Sequence, residues 1–375
     1  MKKPFQRLRG TIRILCAVAF VASAVCDVEA AAAEAPTRQR IKFPDARIGV
    51  NGLPWFEQDK PVLRRLPARS KDTFRAAVWS LAQHPSGGRL RFRTDALTIG
   101  IVAKNPDTTS MPHMTSIGQS GFDIYVGEDF LGSAAPDKDG RIVKEWTVGK
   151  SNALRDITIY LPLYKGVTIE EITLDPKARL ELPKPFAVKK PVVYYGSSIT
   201  QGGCASNPGM SFPAILGRWT DSDFVNLGFS GSGLGDTSVA VVMTEIDSAC
   251  YVLDYWANPT ASQFQATLPG FVDVLRKKHP KAPIIIPGPF YNTGEALEMG
   301  FAKEQMEKRK IARDFVEQRQ KAGDLFIAYV DGFDLLWKDQ AGGLVDGRHC
   351  NSLGFYFIAR GLEPHLRRAM GLPPR

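Results

Sequence analysis

Over residues 41–182 the apolar positions come in short alternating or continuous runs, at 89–92, 97–102, 122–126, 142–146 and 155–161. Turn-forming clusters separate them, among them Pro85-Ser86-Gly87-Gly88, Asn105-Pro106-Asp107 and Pro136-Asp137-Lys138-Asp139-Gly140. Many short strands with this punctuation predict an antiparallel β-sandwich, with one helical or irregular intrusion near 73–81. After Val192 the rhythm changes. Buried-strand runs at 192–195, 224–227, 251–253, 284–286 and 325–330 alternate with amphipathic stretches at 211–219, 237–246, 261–278, 301–322 and 353–370. Such alternation predicts a parallel sheet covered by helices on both faces, an α/β domain over 192–375. In such sheets the working groups lie at the strand C-terminal ends. Residues 183–191 carry three prolines and no periodicity, which suits a linker.

The first 35 residues depart from this pattern. Lys2, Lys3, Arg7, Arg9 and Arg13 precede an apolar run at 14–25 and then the small-residue stretch at 30–35, the order of a cleaved signal peptide. The apolar run is too short to cross a bilayer, so the expectation is a secreted or periplasmic protein with no stable membrane insertion. The formal charge of +9 includes this leader, and removing residues 1–30, with their five basic and two acidic residues, leaves +6. No interleaved cluster of basic and aromatic residues marks a nucleic-acid surface. Of five cysteines, Cys204, Cys250 and Cys350 outlast the leader. An odd number cannot be fully paired, and three buried thiols is the simpler expectation, although Cys204 and Cys350 both fall near candidate site loops. No Cys-x-x-Cys, His-x-x-x-His or phosphate-loop spacing implies a metal or cofactor.

The candidate chemistry starts where the run Val192-Val193-Tyr194-Tyr195 ends in Gly196-Ser197-Ser198, a strand end that projects a hydroxyl into the cleft above the sheet. A serine needs an imidazole to take its proton and donors to hold the developing oxyanion. Of the five histidines, His84, His113 and His279 read as surface residues, and His365 as a cation near a helix C-terminus. His349 alone sits in a loop with a carboxylate three residues before it, in Asp346-Gly347-Arg348-His349, where a compact turn can bring the acid to the ring. Two more loops follow strands: the glycine-rich segment 226–233, able to turn a backbone N–H toward a ligand, and Asp254-Tyr255-Trp256-Ala257-Asn258-Pro259, which offers an amide.

This order of Ser, Gly loop, Asn and Asp-x-x-His resembles the SGNH, or GDSL-like, hydrolases. The resemblance implies a flavodoxin-like three-layer domain in which Ser198 is the nucleophile, His349 the base and Asp346 its acid partner. The oxyanion hole would be formed by Ser198, Gly231 and Asn258. Ser197 stands where the family commonly has Asp, and the Asn segment diverges from Gly-x-Asn-Asp. Upstream, Gly121-Phe122-Asp123-Ile124-Tyr125 is similar to the Gly-x-Asp-Leu-Tyr motif of a jelly-roll-like sandwich domain fused to a branch of these enzymes.

Several alternatives stay open at this stage. Ser197 rather than Ser198 is a possible nucleophile, and Asp331 and Asp334 are possible partners for His349 in place of Asp346, with Asp331 otherwise a turn former. Tyr194, Tyr195, Tyr255, Trp256 and Phe229 suit either sugar stacking or the core. Lys303, Glu304, Glu307, Lys308, Arg309 and Lys310 read as a solvated helix face. The expected activity is hydrolysis of a small acyl ester, acetyl above all, on a small-molecule or polysaccharide substrate, without cofactor. Lipid-ester hydrolysis and non-catalytic carbohydrate binding are the competing readings.

Overall fold

The computed structural model describes residues 37–375; the leader expected over 1–35 lies outside them. The N-terminal strands are β1 (Gln39–Lys42), β2 (Gly49–Asn51), β3 (Arg89–Thr94), β4 (Thr98–Lys104), β5 (Phe122–Val126), β6 (Asp129–Ala134), β7 (Arg141–Thr147), β8 (Arg155–Tyr160), β9 (Thr168–Leu174) and β10 (Leu180–Glu181). They form two antiparallel sheets, β1-β9-β4-β7 and β10-β3-β8-β5-β6, with β2 added beside β3. The inward residues make one apolar cluster, Phe92, Ile99, Ile101, Phe122, Ile124 and Ile159 among them. Helices α1 (Phe56–Asp59), α2 (Ala76–Ala82) and α3 (Ser116–Ser120) sit in the connections.

The second half contains β11 (Val188–Gly196), β12 (Ser222–Gly228), β13 (Cys250–Asp254), β14 (Ile284–Pro287) and β15 (Ile327–Val330). Its helices are α4 (Ser198–Gln201), α5 (Phe212–Trp219), α6 (Thr237–Met243), α7 (Ala261–Lys278), α8 (Thr293–Ala296), α9 (Gly300–Lys321) and α10 (Ser352–Met370). All strand pairs are parallel, in the order β12-β11-β13-β14-β15, the flavodoxin-like arrangement in which the chain reverses direction beside its first strand. Residues 188–191 of the proline-rich stretch already belong to β11, and Val188 pairs with Ser222.

Residues 38–375 form one compact unit. The larger apolar cluster runs from the parallel sheet into the first half, through Trp55, Leu66, Tyr125, Tyr160, Leu163 and Tyr164. Tyr194, Tyr195, Tyr255 and Phe229 are fully buried in it, and Trp256 packs edge-on against Phe290, so these aromatics are core and present no stacking face to a ligand.

Candidate active site

Register explains why distant segments meet. Gly196 pairs with Gly228 on one side and Asp254 on the other, so β11, β12 and β13 end level and their following loops emerge side by side. Those loops carry Ser198, Gly231 and Asn258.

The Ser197 hydroxyl accepts from Ile199 N–H at 3.2 Å and caps α4, and Ser197 is fully buried. Serine and aspartate are both good helix caps, so serine fills a position where an aspartate would do the same work. Ser197 is thereby excluded as a nucleophile. Ser198, the first residue of α4, has no intrahelical acceptor for its N–H. Its Oγ lies 3.1 Å from His349 Nε2, and His349 Nδ1 lies 2.8 Å from Asp346 Oδ2. Asp346 Oδ1 accepts the backbone N–H groups of Arg348 (3.0 Å) and His349 (2.7 Å), which closes the turn and fixes the ring. Burial alone would raise the Asp346 carboxyl. The hydrogen bonds and charge of His349 and the Arg348 N–H outweigh it and hold the group at about 2. Asp331 takes the other role considered for it: its carboxylate caps a turn through Phe333 N–H at 3.0 Å.

On the oxyanion side, Gly231 adopts φ +65°, a left-handed conformation that favours glycine. Asn258 Oδ1 accepts Gly233 N–H at 3.1 Å, which orients the amide and leaves its Nδ2 donors for a ligand. The glycine loop is also fixed from below, where Tyr195 Oη accepts Gly235 N–H at 2.9 Å. Beneath α4, Thr200 Oγ1 donates to Asp254 Oδ2 at 2.9 Å, and burial pushes the Asp254 carboxyl up to about 7.

The first half supplies much of the scaffold. Arg65 is fully buried and donates to the Asn226 and Gly228 carbonyls at the end of β12, while burial lowers its pKa to about 9. Arg75 pairs with Asp236 and donates to Ser232 O at 2.7 Å. Ser86 Oγ donates to Gln201 O at 2.6 Å, and Tyr164 Oη to Ser198 O at 3.3 Å. Asp123 and Tyr125 of the Gly-x-Asp-Leu-Tyr-like motif grip the loop that follows α4. Asp123 Oδ2 accepts Asn207 Nδ2 (2.5 Å) and Gly209 N–H (2.7 Å), and a Cβ on Gly209 would come within 2.6 Å of Tyr125 Oη. That same loop touches the histidine segment: Cys204 N–H donates to Cys350 O at 2.8 Å, and Ser206 N–H to Ser352 Oγ at 3.0 Å. Cys204, Cys250 and Cys350 are buried free thiols, and burial pushes Cys204 up to about 12.

His113 is exposed, as expected, and its ring centre lies 6.0 Å from that of His349, so a sandwich-domain loop reaches the site mouth. Three sequence expectations need correction. His84 is half-buried, and desolvation lowers it to about 4. At His365, expected as a helix-end cation, burial and then Arg368 lower the pKa. Lys308 and Arg309 are buried rather than solvated, Arg309 bonding Pro289 O (2.6 Å) and Glu295 (2.8 Å).

A serine at a helix start above a flavodoxin-like sheet, relayed through histidine to aspartate, defines a serine hydrolase of carboxylic esters. Residues 189–367 match the model of the GDSL-like lipase/acylhydrolase family, and residues 41–180 that of the N-terminus of SGNH hydrolase-type esterases, called GxDLY. The chain thus belongs to the SGNH/GDSL-type esterases that carry this N-terminal domain. Among solved structures it is similar to a protein from Bacteroides ovatus described as a GDSL-like lipase, at 27% identity and TM-score 0.81, over 90% of this chain and 99% of that one. A salicylyl-acyltransferase from a tetracycline biosynthetic pathway shares the fold at 20% identity and TM-score 0.73, covering 89% and 97%. So does a family two carbohydrate esterase from Cellvibrio japonicus, at 15% identity and TM-score 0.59, covering 89% and 98%. No curated protein gives a significant match.

Proposed function

We propose that the protein is an exported esterase that removes small acyl groups, acetyl above all, from a carbohydrate through an acyl-serine intermediate. The observation that carries the reading is the Asp346–His349–Ser198 relay, with both hydrogen bonds at working distance. Ser198 Oγ attacks the ester carbonyl while His349 Nε2 takes its proton, and Asp346 holds Nδ1–H and balances the imidazolium. The Ser198 and Gly231 N–H groups and Asn258 Nδ2 receive the oxyanion. His349 returns the proton to the departing alcohol, and water then releases the acid by the same steps. The polar surroundings of Asn258, the shared fold with carbohydrate esterases and the basic-then-apolar leader composition support the substrate class and export. The test compares wild type and Ser198→Ala on nitrophenyl esters of increasing chain length and on acetylated xylan. Expected are a preference for acetate, acetate release from the xylan and loss of both in the variant. Activity unchanged in the variant would refute the site, and a preference for long chains would replace the carbohydrate reading with a lipid one.

A further inference from the structure

Beside Asn258 lies a cavity of about 220 Å³, some seven times the ~30 Å³ share of one liquid water and so room for a single sugar ring. Asn258, Asn292, Glu304, Gln305, Lys308 and Arg348 line it. Its position ties it to the reaction, since Arg348 precedes His349 and its Nη2 donates to Ala257 O at 2.9 Å, joining the histidine loop to the Asn258 loop.

The wall chemistry is unusual for a protein interior. Asn292, Gln305 and Lys308 are each 5% exposed or less. Asn292 Oδ1 and Gln305 Oε1 are buried and accept no hydrogen bond from the protein. An unpartnered buried acceptor costs about 1–3 kcal/mol, a cost that a donor group entering through this wall would relieve. The charges are also unbalanced. Lys308 and Arg348 face a single lining carboxylate, Glu304, whose Oε1 is 3.7 Å from Lys308 Nζ and is engaged by Ala261 N–H at 3.0 Å. Desolvation, with Arg348 adding to it, lowers the Lys308 pKa against the opposing pull of Glu304 and Glu307.

We infer that this cavity is the subsite for a uronate, a carboxylated sugar ring next to the acylated one, with its carboxylate on Lys308 and Arg348 and its hydroxyls against the Asn258, Asn292 and Gln305 side chains. The inference rests on the esterase reading and narrows its substrate to acetylated acidic polysaccharide. Two acceptors, two cations and a ring-sized volume fit a polyhydroxy acid better than an acyl chain, which would leave every one of these groups unpaired.

The test measures kcat/KM for acetylated oligogalacturonate and for acetylated xylo-oligosaccharide, with nitrophenyl acetate as the reference ester, on wild type, Lys308→Met and Lys308→Arg. Wild type is expected to favour the uronate substrate by about tenfold or more, a preference that shrinks with added salt. Lys308→Met should abolish the preference and Lys308→Arg retain most of it. Should Lys308→Met fail to fold, the wild-type ratio and its salt dependence decide. Wild type that cleaves nitrophenyl acetate but treats both oligosaccharides alike overturns this inference and leaves the esterase reading standing. Wild type inert toward nitrophenyl acetate overturns both.

Discussion

Replacing Asp123 tests whether the sandwich domain is part of the catalytic scaffold. The side chain is fully buried and accepts three hydrogen bonds, from Ser133 Oγ (2.7 Å) within the sandwich and from Asn207 Nδ2 and Gly209 N–H in the loop after α4. Asp123→Ala strands all three donors. At about 1–3 kcal/mol for each buried unsatisfied group, with losses that overlap and partial water entry, the net cost is about 3–4 kcal/mol. Asp123→Asn keeps an oxygen for Gly209 and Asn207 and turns its NH2 toward Ser133 Oγ, which can accept, so it should cost about 1 kcal/mol or less. Burial raises the Asp123 carboxyl above its ordinary value despite these donors. A raised folded-state value means that this group's stabilisation is complete below its unfolded pKa and declines as pH rises through the folded one, so Asp123→Asn should narrow its deficit in that window. Urea unfolding of the three proteins measures the stabilities. Nitrophenyl acetate turnover under native conditions asks whether loosening the loop reaches His349 through Cys350 and Ser352, and a fall in kcat with KM unchanged is expected for Asp123→Ala. An alanine variant within 0.5 kcal/mol of the asparagine one, with normal kcat, would show that the interface does not depend on this carboxylate.

Other outcomes follow from the same geometry. Asp346→Asn should fold normally and lose about two to four orders of magnitude in kcat, because the amide no longer holds the His349 tautomer; circular dichroism beside steady-state kinetics checks this. Asp254, pushed up to about 7 by burial, stabilises the fold while protonated and loses that contribution as pH rises through 7. Unfolding free energy should thus fall by about 2–3 kcal/mol between pH 5 and pH 8, and Asp254→Asn should flatten the profile. The three buried thiols should resist a thiol-specific dye in the native protein and react after unfolding, and rapid native labelling would show the site loops opening.

The elements that read clearly from sequence are those whose pattern is set by burial on both faces. Val192–Tyr195 and Ile284–Ile286 are unbroken apolar runs because helices cover the sheet above and below. Strands β6 and β9 escaped notice for the complementary reason. β6 is a largely exposed edge strand, and β9 interrupts its apolar residues with Glu170 and Glu171. Within the site, Asp346 and His349 were legible because three residues in one turn suffice to join them. Arg65 and Arg75 were not, nor was the part Asp123 plays within its motif, because each acts on a partner more than 80 residues away, and no local spacing encodes such a contact. Lys308 was misjudged because a charged stripe on a helix reads the same whether water or a polar cavity faces it.

Those long-range contacts explain why the two halves are joined so closely. A parallel sheet sets the heights at which Ser198, Gly231 and Asn258 emerge, but the segments that carry them, the glycine-rich loop of Gly231 above all, would wander if left alone. Their restraints come from the sandwich side: Arg65 on the end of β12, Arg75 on the glycine loop, Ser86 on Gln201, and Asp123 on the segment that braces Cys350. These bonds are buried or partly buried and made to backbone carbonyls and N–H groups, so they fix chain path rather than one side chain. A hydrolase half separated from its sandwich would retain the sequence of the relay while losing the groups that hold its loops in register, which is why the Gly-x-Asp-Leu-Tyr-like segment belongs to the catalytic scaffold as much as the serine does.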